Sequence, residues 1–509
     1  MEAENKAYLA KLKEAIDKNW DDQMKTLREI ITIRSVDEGP RKIKRQTGTT
    51  PEGEPVYETL EAPFGEGVQK VFEYALKKGE ELGFDPVNVD NYGGHVELPG
   101  YTFDEAGEMN GTAEEIMGIV GHLDVVPEGD GWSADPYTLR VEDGRIYGRG
   151  TSDDKGPVVA SLYAMKAIAD AGFTPHANVR CIFGLDEETN WSGMIRYLES
   201  EKQPDFGFTP DGDFPVIHGE KGVTTFELVR KLAAGNGEGL QLTQLSGGSA
   251  ANMVADSARA VLLAKDKSEY DIIRGMAENR KAAGDMDIAT RIMGKSMEVS
   301  VKGVSAHGAT PEKGVNAISQ LMEFLGGLNF GNDDVNEFVA FYNDCIGYDL
   351  GGERLGIGFE DETSGKMVVN VGLLSGDKKS VTLTLCCRCP ISVTDGMFYD
   401  GVASAVGKYD VGIIKGAFQP PLYLPKDHPM IRTMMDIYRE HTGDMESEPL
   451  LIGGATYARA LDNIVAFGAL FPGREDRMHQ ADEYFLEEDF KMMTIIFADT
   501  IYRLAVAKD

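Results

Sequence analysis

Three consecutive carboxylates, Asp186, Glu187 and Glu188, follow the short apolar segment 178–184, whose composition is typical of a buried strand. Neighbouring like charges raise one another's pKa unless a cation lies among them. A chain that ends a core strand in three acids therefore needs a source of positive charge at that point.

Other acidic and imidazole side chains occupy similar places, at or just after strand-like segments. They are His122, Asp124, Asp153, Asp211 and His479. Each alone has an ordinary explanation: a surface His–Asp pair, a helix cap, a turn residue or an exposed loop histidine. Their recurrence at strand ends favours a common site instead, and the chemistry of the set predicts that the missing cation is a metal ion.

The elements that must position these residues alternate from about residue 114. Strand-like and helix-like segments follow one another in the order β-α-β-α-β, which predicts a parallel sheet with helices on its faces. In such sheets, ligands bind outside the carboxyl ends of the strands. The predicted fold therefore gathers the acids and imidazoles at one edge.

Length and charge limit the class of protein. A chain of 509 residues predicts two domains, and a formal net charge of −33 argues against nucleic acid as a partner. The charged N-terminus predicts an amphipathic helix and no secretory signal, and no apolar run is long enough to span a bilayer. We expect no membrane association and a cytoplasmic location.

The five cysteines contain no C-x-x-C pair, so we expect buried, reduced thiols rather than a structural zinc site. Three of them lie in the strand-like segment 380–393. Alternation along a strand places Cys387 and Cys389 on one face, and Cys386 with Arg388 on the other.

Several motifs together carry a family resemblance: "GHLDVVPEGDGW", "GRGTSDDKGP", "DEETNW", "TPDGDFP", "GVSAHGATPEKGVNA" and "FPGREDRMHQADEY". The chain resembles the co-catalytic dizinc peptidases and aminoacylases, and most closely their peptidase V branch of bacterial dipeptidases. The resemblance implies an α/β catalytic domain, zinc-peptidase-like, with helices on both faces of a mostly parallel sheet. It also implies an inserted α+β lid domain. We expect the catalytic domain over residues 1–217 and 418–509, and the lid over 218–417.

The resemblance also implies a role for each residue at the strand ends. His122 and Asp211 would hold one divalent ion, Glu188 and His479 the other, and Asp153 would bridge both. The two ions would share a water. Zinc is the expected metal, with manganese or cobalt as alternatives.

The neighbouring acids would act with these ligands. Asp124 would orient the His122 imidazole, and Glu187 would be the general base for the shared water. The family pattern further implies a cis peptide bond between Asp153 and Asp154.

The resemblance also implies four substrate contacts, three from lid residues and one from the second part of the catalytic domain. His307 would stabilise the oxyanion, Asn252 would hydrogen-bond the substrate, and Arg388 would bind its free carboxylate, with backbone donors near Gly454. The ordinary alternatives are a loop histidine, a helix-initiating asparagine and a charge on a strand surface. Ala455 departs from the family pattern, in which a third glycine is more usual.

The expected activity is metal-dependent hydrolysis of short unblocked peptides by a dipeptidase. The alternatives are an amidohydrolase on the same scaffold (a deacylase, desuccinylase or carboxypeptidase) and a metal-binding protein without catalysis. A lid about twice the usual length implies a monomer. The basic segment 41–60 reads as a loop inserted beyond the family pattern.

Overall fold

The computed structural model describes residues 2–50, 53–234 and 238–507. The chain divides into two compact units. The first unit contains residues 1–219, 424–450 and 455–509, and the second contains residues 220–423 and 451–454. The second unit thus extends to Tyr423 rather than 417, and it also takes in the short segment Leu451–Gly454.

The first unit contains a mixed sheet whose four central strands are parallel. The predicted α/β architecture, with helices on both faces of the sheet, is confirmed. Its parallel strands are buried on both sides, which explains why they read as continuous apolar runs. Across the unit the strand order is Ile217–Glu220, Ile464–Ala466, Phe206–Thr209, Ile116–His122, Asn178–Gly184, Gly93–Leu98 and Asp85–Val89.

Among the described residues, six α-helices belong to this unit: Glu2–Ile31, Glu66–Glu81, Lys155–Asp170, Ser192–Ser200, Pro429–Thr442 and Glu487–Ile501. The N-terminal helix packs against Lys155–Asp170 and the C-terminal helix. A buried hydrogen bond of 2.7 Å joins the Tyr8 hydroxyl to Asp499, and another of 2.7 Å joins Gln23 to Thr494. The predicted N-terminal helix is therefore part of the first unit's core.

Short elements complete the unit. The strands are Tyr101–Phe103, Met109–Thr112, Arg140–Glu142, Arg145–Tyr147 and Tyr484–Leu486, with a 3-10 turn at Tyr457–Ala460 and a π-helical turn at Tyr502–Val506. Two further strands, Leu422–Tyr423 and Leu450–Ile452, lie where the chain passes between the units.

The prediction of a loop over residues 41–60 was wrong. Strands Arg41–Thr49 and Pro55–Ala62 form an antiparallel hairpin. Cross-strand charge pairs join its two strands, with Lys42 Nζ 2.7 Å from the Glu61 carboxylate and Arg45 Nε 4.0 Å from that of Glu58. Because most of its side chains are exposed, the hairpin lacks the apolar pattern from which a strand is normally predicted.

The second unit is an antiparallel sheet with helices. The part of it that the structure describes contains the helices Ser268–Ala282, Ala317–Leu325, Asp333–Cys345 and Asp395–Val406, with a 3-10 turn at Pro311–Lys313. The strand order is Asp287–Met293, Ser296–Lys302, Ser257–Leu263, Gln241–Gly247, Val368–Gly376, Ser380–Cys389, Gly222–Lys231 and Gly412–Ile414. Phe418–Gln419 adds to Gly222–Lys231, and Glu360–Asp361 pairs with Gly365–Lys366.

The cysteines behave as predicted. All five lie within the described residues, are buried and form no disulfide. Cys387 and Cys389 belong to the core of the second unit, whereas Cys386 contacts Arg388. None of the helices in the described residues has the length and apolar character that crossing a bilayer requires.

Candidate metal centre

Three neighbouring parallel strands bring most of the acids and imidazoles together. His122 is the last residue of Ile116–His122 and pairs with Gly184 of the adjacent strand. Glu187 and Glu188 follow Gly184 closely, and Asp211 follows strand Phe206–Thr209. The sheet edge predicted from the sequence therefore exists in the first unit.

The Asp153 carboxylate lies between two imidazoles. Its Oδ1 is 2.9 Å from Nε2 of His122, and its Oδ2 is 2.8 Å from Nε2 of His479. Each oxygen of one carboxylate thus faces a different half of the site, which is the arrangement that a bridging ligand needs.

The two halves contain one further carboxylate each. On the first side, Asp211 Oδ2 lies 3.7 Å from Nε2 of His122. On the second, Glu188 Oε1 lies 3.1 Å from Nε2 of His479. The structure also groups ligand atoms of His122, Glu187 and Asp211 within 4.8 Å of one another. All five residues expected to hold metal therefore converge.

Asp124 is buried and connects the first half to the acidic loop. Its Oδ1 lies 3.4 Å from Nδ1 of His122, which is also 3.0 Å from the Asp124 carbonyl oxygen. The backbone N–H groups of Glu187 and Glu188 donate to its two carboxylate oxygens at 3.2 and 3.1 Å. One side chain therefore orients an imidazole and fixes the backbone of two acids.

The peptide bond between Asp153 and Asp154 is cis, as the family resemblance implies. Asp154 is fully buried, and its Oδ2 accepts a hydrogen bond of 3.0 Å from the backbone N–H of His122. Asp153 thus points between the imidazoles, and Asp154 holds the strand that carries one of them.

Asp186, the first of the three consecutive acids, has a structural role. It accepts hydrogen bonds from the Ser192 hydroxyl at 2.8 Å and from the Gly193 backbone N–H at 3.0 Å. These groups begin helix Ser192–Ser200, so Asp186 stabilises the start of that helix. The Tyr457 hydroxyl donates to the same carboxylate at 3.3 Å.

Burial and neighbouring negative charges raise the pKa values of three of these acids. Burial and the charge of Asp153 raise the pKa of Asp211 to about 7. Burial and the charge of Asp211 raise the pKa of Glu187 well above its ordinary value, and burial with Asp153 raises that of Glu188. The site therefore favours any positive charge placed among these carboxylates.

The pKa values of the two imidazoles are raised as well, which favours their charged form. Burial opposes protonation of His122, but hydrogen bonds with Asp124 and Asp153 prevail and raise its pKa well above the ordinary value. Hydrogen bonds with Asp153 and Glu188 raise the pKa of His479 to about 11. Both rings face carboxylates through Nε2, the atom that a metal ligand would use.

The donor set fits divalent metal ions. It offers two imidazoles and three carboxylates without thiolate, a combination that suits zinc, manganese or cobalt. Each oxygen of the Asp153 carboxylate faces a different imidazole, so an ion bound beside each imidazole could share this carboxylate. The residues present therefore fit two ions better than one.

Two of the residues expected to contact substrate lie side by side in the second unit. Met253 and His307 form an antiparallel bridge, and the Gly308 backbone N–H donates to the Asn252 carbonyl oxygen at 2.7 Å. His307 Nδ1 accepts from the Ala309 backbone N–H at 3.2 Å, which in a neutral ring leaves the proton on Nε2. No helix begins at Asn252, so the alternative that this residue initiates a helix is excluded.

Arg388 is a buried residue of strand Ser380–Cys389. It is only 6% exposed, its Nη1 lies 3.3 Å from the Cys386 sulfur, and within the described residues its Nε has no hydrogen-bond partner. A Cβ at Gly453 would lie 3.6 Å from Arg388 Cγ, so the backbone just before Gly454 approaches this side chain. The alternative that Arg388 is an exposed charge on a strand surface is therefore excluded.

Sequence reasoning missed Asn370, a buried residue of strand Val368–Gly376. Its Nδ2 donates to the carbonyl oxygens of Ala251 and Met253, each at 2.9 Å. These two residues flank Asn252, so Asn370 fixes the backbone that presents it. No local pattern marks such a residue, because the contact joins segments more than 100 residues apart.

The chain is similar to known proteins over most of its length. Residues 118–503 match the model of "Peptidase family M20/M25/M40". A Staphylococcus aureus protein named "Putative dipeptidase SAB1611c" is 36% identical over 452 residues, covering 88% of this chain and 92% of its own. A Staphylococcus epidermidis protein of the same general name is 35% identical over 451 residues, covering 88% of this chain and 93% of its own.

Solved structures share the fold at low sequence identity. Human carnosine dipeptidase 1 aligns with a TM-score of 0.52 and 16% identity, covering 97% of this chain and 98% of its own. Aminoacylhistidine dipeptidase from Vibrio alginolyticus aligns with a TM-score of 0.51 and 14% identity, covering 93% and 96%. With the match to the family model and relatives above 30% identity over most of their length, the chain belongs to peptidase family M20/M25/M40.

Proposed function

We propose that this protein is a metal-dependent dipeptidase that hydrolyses the peptide bond of short unblocked peptides. The observation that carries the proposal is the Asp153 carboxylate, which places one oxygen near each of two imidazoles. The names of the staphylococcal relatives support the choice of dipeptides as substrates.

The metal ligands divide into two sets around Asp153. We assign His122 and Asp211 to one ion, and Glu188 and His479 to the other. Zinc is the proposed metal, with manganese and cobalt as alternatives for the same donors. When bound, such ions polarise a carbonyl oxygen and lower the pKa of water, so that hydroxide becomes available near neutral pH.

Glu187 is the proposed general base. Its backbone is fixed by Asp124, and its carbonyl oxygen accepts a hydrogen bond of 2.8 Å from the Trp191 indole. Burial and the nearby Asp211 raise the pKa of its carboxyl group, which suits a group that must both accept and return a proton. Glu187 would take a proton from the attacking water and deliver it to the leaving amine.

The other residues bind or orient. Asp124 keeps the His122 ring in place through Nδ1. We propose that His307 donates from Nε2 to the oxyanion and that Asn252 hydrogen-bonds the substrate. Arg388 would bind the substrate's free carboxylate, assisted by backbone donors at Gly454.

Three further properties belong to the same proposal. We propose that the first compact unit is the catalytic domain and that the second is a lid inserted into it, which the division of the chain supports. We propose that the protein acts as a monomer because the lid is about twice the usual length, and that it acts in the cytoplasm, where its five thiols would stay reduced. Its partner is a small peptide.

A free amine on the substrate distinguishes a dipeptidase from an amidohydrolase of acylated amino acids. We expect the purified, zinc-loaded protein to cleave a dipeptide such as Ala-Leu, and to leave N-acetyl-Ala-Leu and N-acetyl-leucine nearly untouched. Amino acid release measured by chromatography gives kcat/KM for each compound. Faster cleavage of either acetylated compound would favour the deacylase or carboxypeptidase alternative. If none of the three is cleaved, the dipeptidase proposal fails.

A further inference from the structure

Glu483 is a fully buried carboxylate four residues after His479, and it gathers the loop that carries Asp153. The backbone N–H groups of Gly150, Ser152 and Asp153 donate to it at 3.0, 2.9 and 3.3 Å. The Ser152 hydroxyl donates as well, at 2.9 Å. Three residues of one loop therefore donate hydrogen bonds to a single side chain.

The negative charge of Glu483 is balanced by a buried arginine. Arg149 Nη1 lies 2.7 Å from Glu483 Oε2, and both side chains are almost completely excluded from solvent. Arg149 also donates to the carbonyl oxygens of Pro127 and Glu128, at 3.4 and 3.3 Å, and its guanidinium lies over the Trp132 ring. Removing one member of such a pair leaves the other charged and unpaired.

Glu483 therefore joins the two chain segments that meet at the metal centre. One segment supplies Asp153, and the other supplies His479. Directly after Glu483, strand Tyr484–Leu486 pairs with Arg145–Tyr147, which precedes the Asp153 loop. The Glu483 carboxylate thus adds a second link between the segments that are also joined by the 2.8 Å contact of His479 Nε2 with Asp153 Oδ2.

The two imidazoles differ in what supports them. His122 is buried at the end of a central strand, so the sheet itself fixes its position. His479 lies outside any strand or helix, its side chain is 54% exposed, and its backbone adopts a left-handed φ of 62°. His479 thus depends on nearby side-chain links more than His122 does.

We infer that Glu483 is a positioning residue for the His479 half of the metal centre. It sets the separation of His479 and Asp153, and without it one of the two ions should bind weakly while the other stays tight. The inference rests on the proposed two-ion centre. It predicts that the two ions depend differently on Glu483, a difference in affinity that the set of ligands alone does not predict.

Zinc titration of the metal-free, full-length protein by isothermal calorimetry tests this asymmetry. We expect wild type to bind two ions. Glu483→Gln should bind one ion with wild-type affinity and the other about 100-fold more weakly, the upper end of the range for residues that support metal ligands. Ser152→Ala removes only one donor to Glu483, and it should weaken the same ion by about tenfold.

Glu488→Gln is the matched control, because it removes an equal charge nearby from a side chain that is 72% exposed. It should bind both ions like wild type. Circular dichroism checks folding, and if Glu483→Gln fails to fold, Ser152→Ala decides the outcome. Unchanged affinity for both ions in the folded variants would overturn the inference, as would a single ion in wild type. Dipeptide cleavage by wild type is measured separately and tests the proposed function. The zinc titration tests the difference between the two ions, so failure of one proposal can be distinguished from failure of the other.

Discussion

Replacing Glu187 with glutamine should remove most turnover of a dipeptide while both metal ions stay bound. Glutamine keeps the size of the side chain but cannot accept a proton, and a general base contributes about 10²–10⁴-fold to the rate. The contacts of Asp153 with the two imidazoles do not involve Glu187, so its replacement should leave them unchanged.

Glu188→Gln is the natural comparison, because the adjacent residue carries the same side chain and lies 3.1 Å from His479 Nε2. It should lose zinc from one half of the site. Zinc content by mass spectrometry and kcat on Ala-Leu are measured for both variants. If Glu187→Gln loses an ion and Glu188→Gln keeps both, the roles assigned to these two acids must be exchanged.

Replacing Arg388 with alanine should weaken cleavage of dipeptides that end in a free carboxylate. The expected loss in kcat/KM corresponds to about 2–5 kcal/mol, as for the removal of one partner from a buried charge pair. Dipeptide amides offer this arginine no carboxylate, so they should lose much less. The buried position of Arg388 and the unpartnered state of its Nε within the described residues both suit an anionic ligand.

The acid and amide substrates, each with wild type and Arg388→Ala, form a double-mutant cycle. Arg259→Ala provides the control, because this arginine is in the same unit but its side chain is 53% exposed. We expect no change in the control. A coupling energy near zero between Arg388 and the substrate carboxylate would show that another group binds that carboxylate.

The sequence predicts the catalytic sheet and its edge well, for a physical reason. Buried parallel strands are continuous apolar runs, and any functional residue at their carboxyl ends directly follows such a run. His122, Glu187 and Glu188 could therefore be placed from local pattern alone. The roles of individual residues came from the family resemblance, since spacing does not distinguish a ligand from a base.

Two kinds of feature could not be predicted in this way. The hairpin of Arg41–Thr49 and Pro55–Ala62 is joined by exposed charge pairs, which leave no apolar periodicity to detect. Glu483 and Asn370 act on backbone groups of distant segments, and nothing near them in the sequence marks that contact. Such residues emerge only when the fold brings those segments together.

The most direct test of the account is reconstitution of the metal-free protein. Chelation should abolish cleavage of Ala-Leu, and zinc added back stepwise should restore it, with full activity at two ions per chain. Asp153 should be essential to this stoichiometry, because it faces both imidazoles. Activity that survives complete removal of metal, or that reaches its maximum at one ion per chain, would contradict a two-ion dipeptidase.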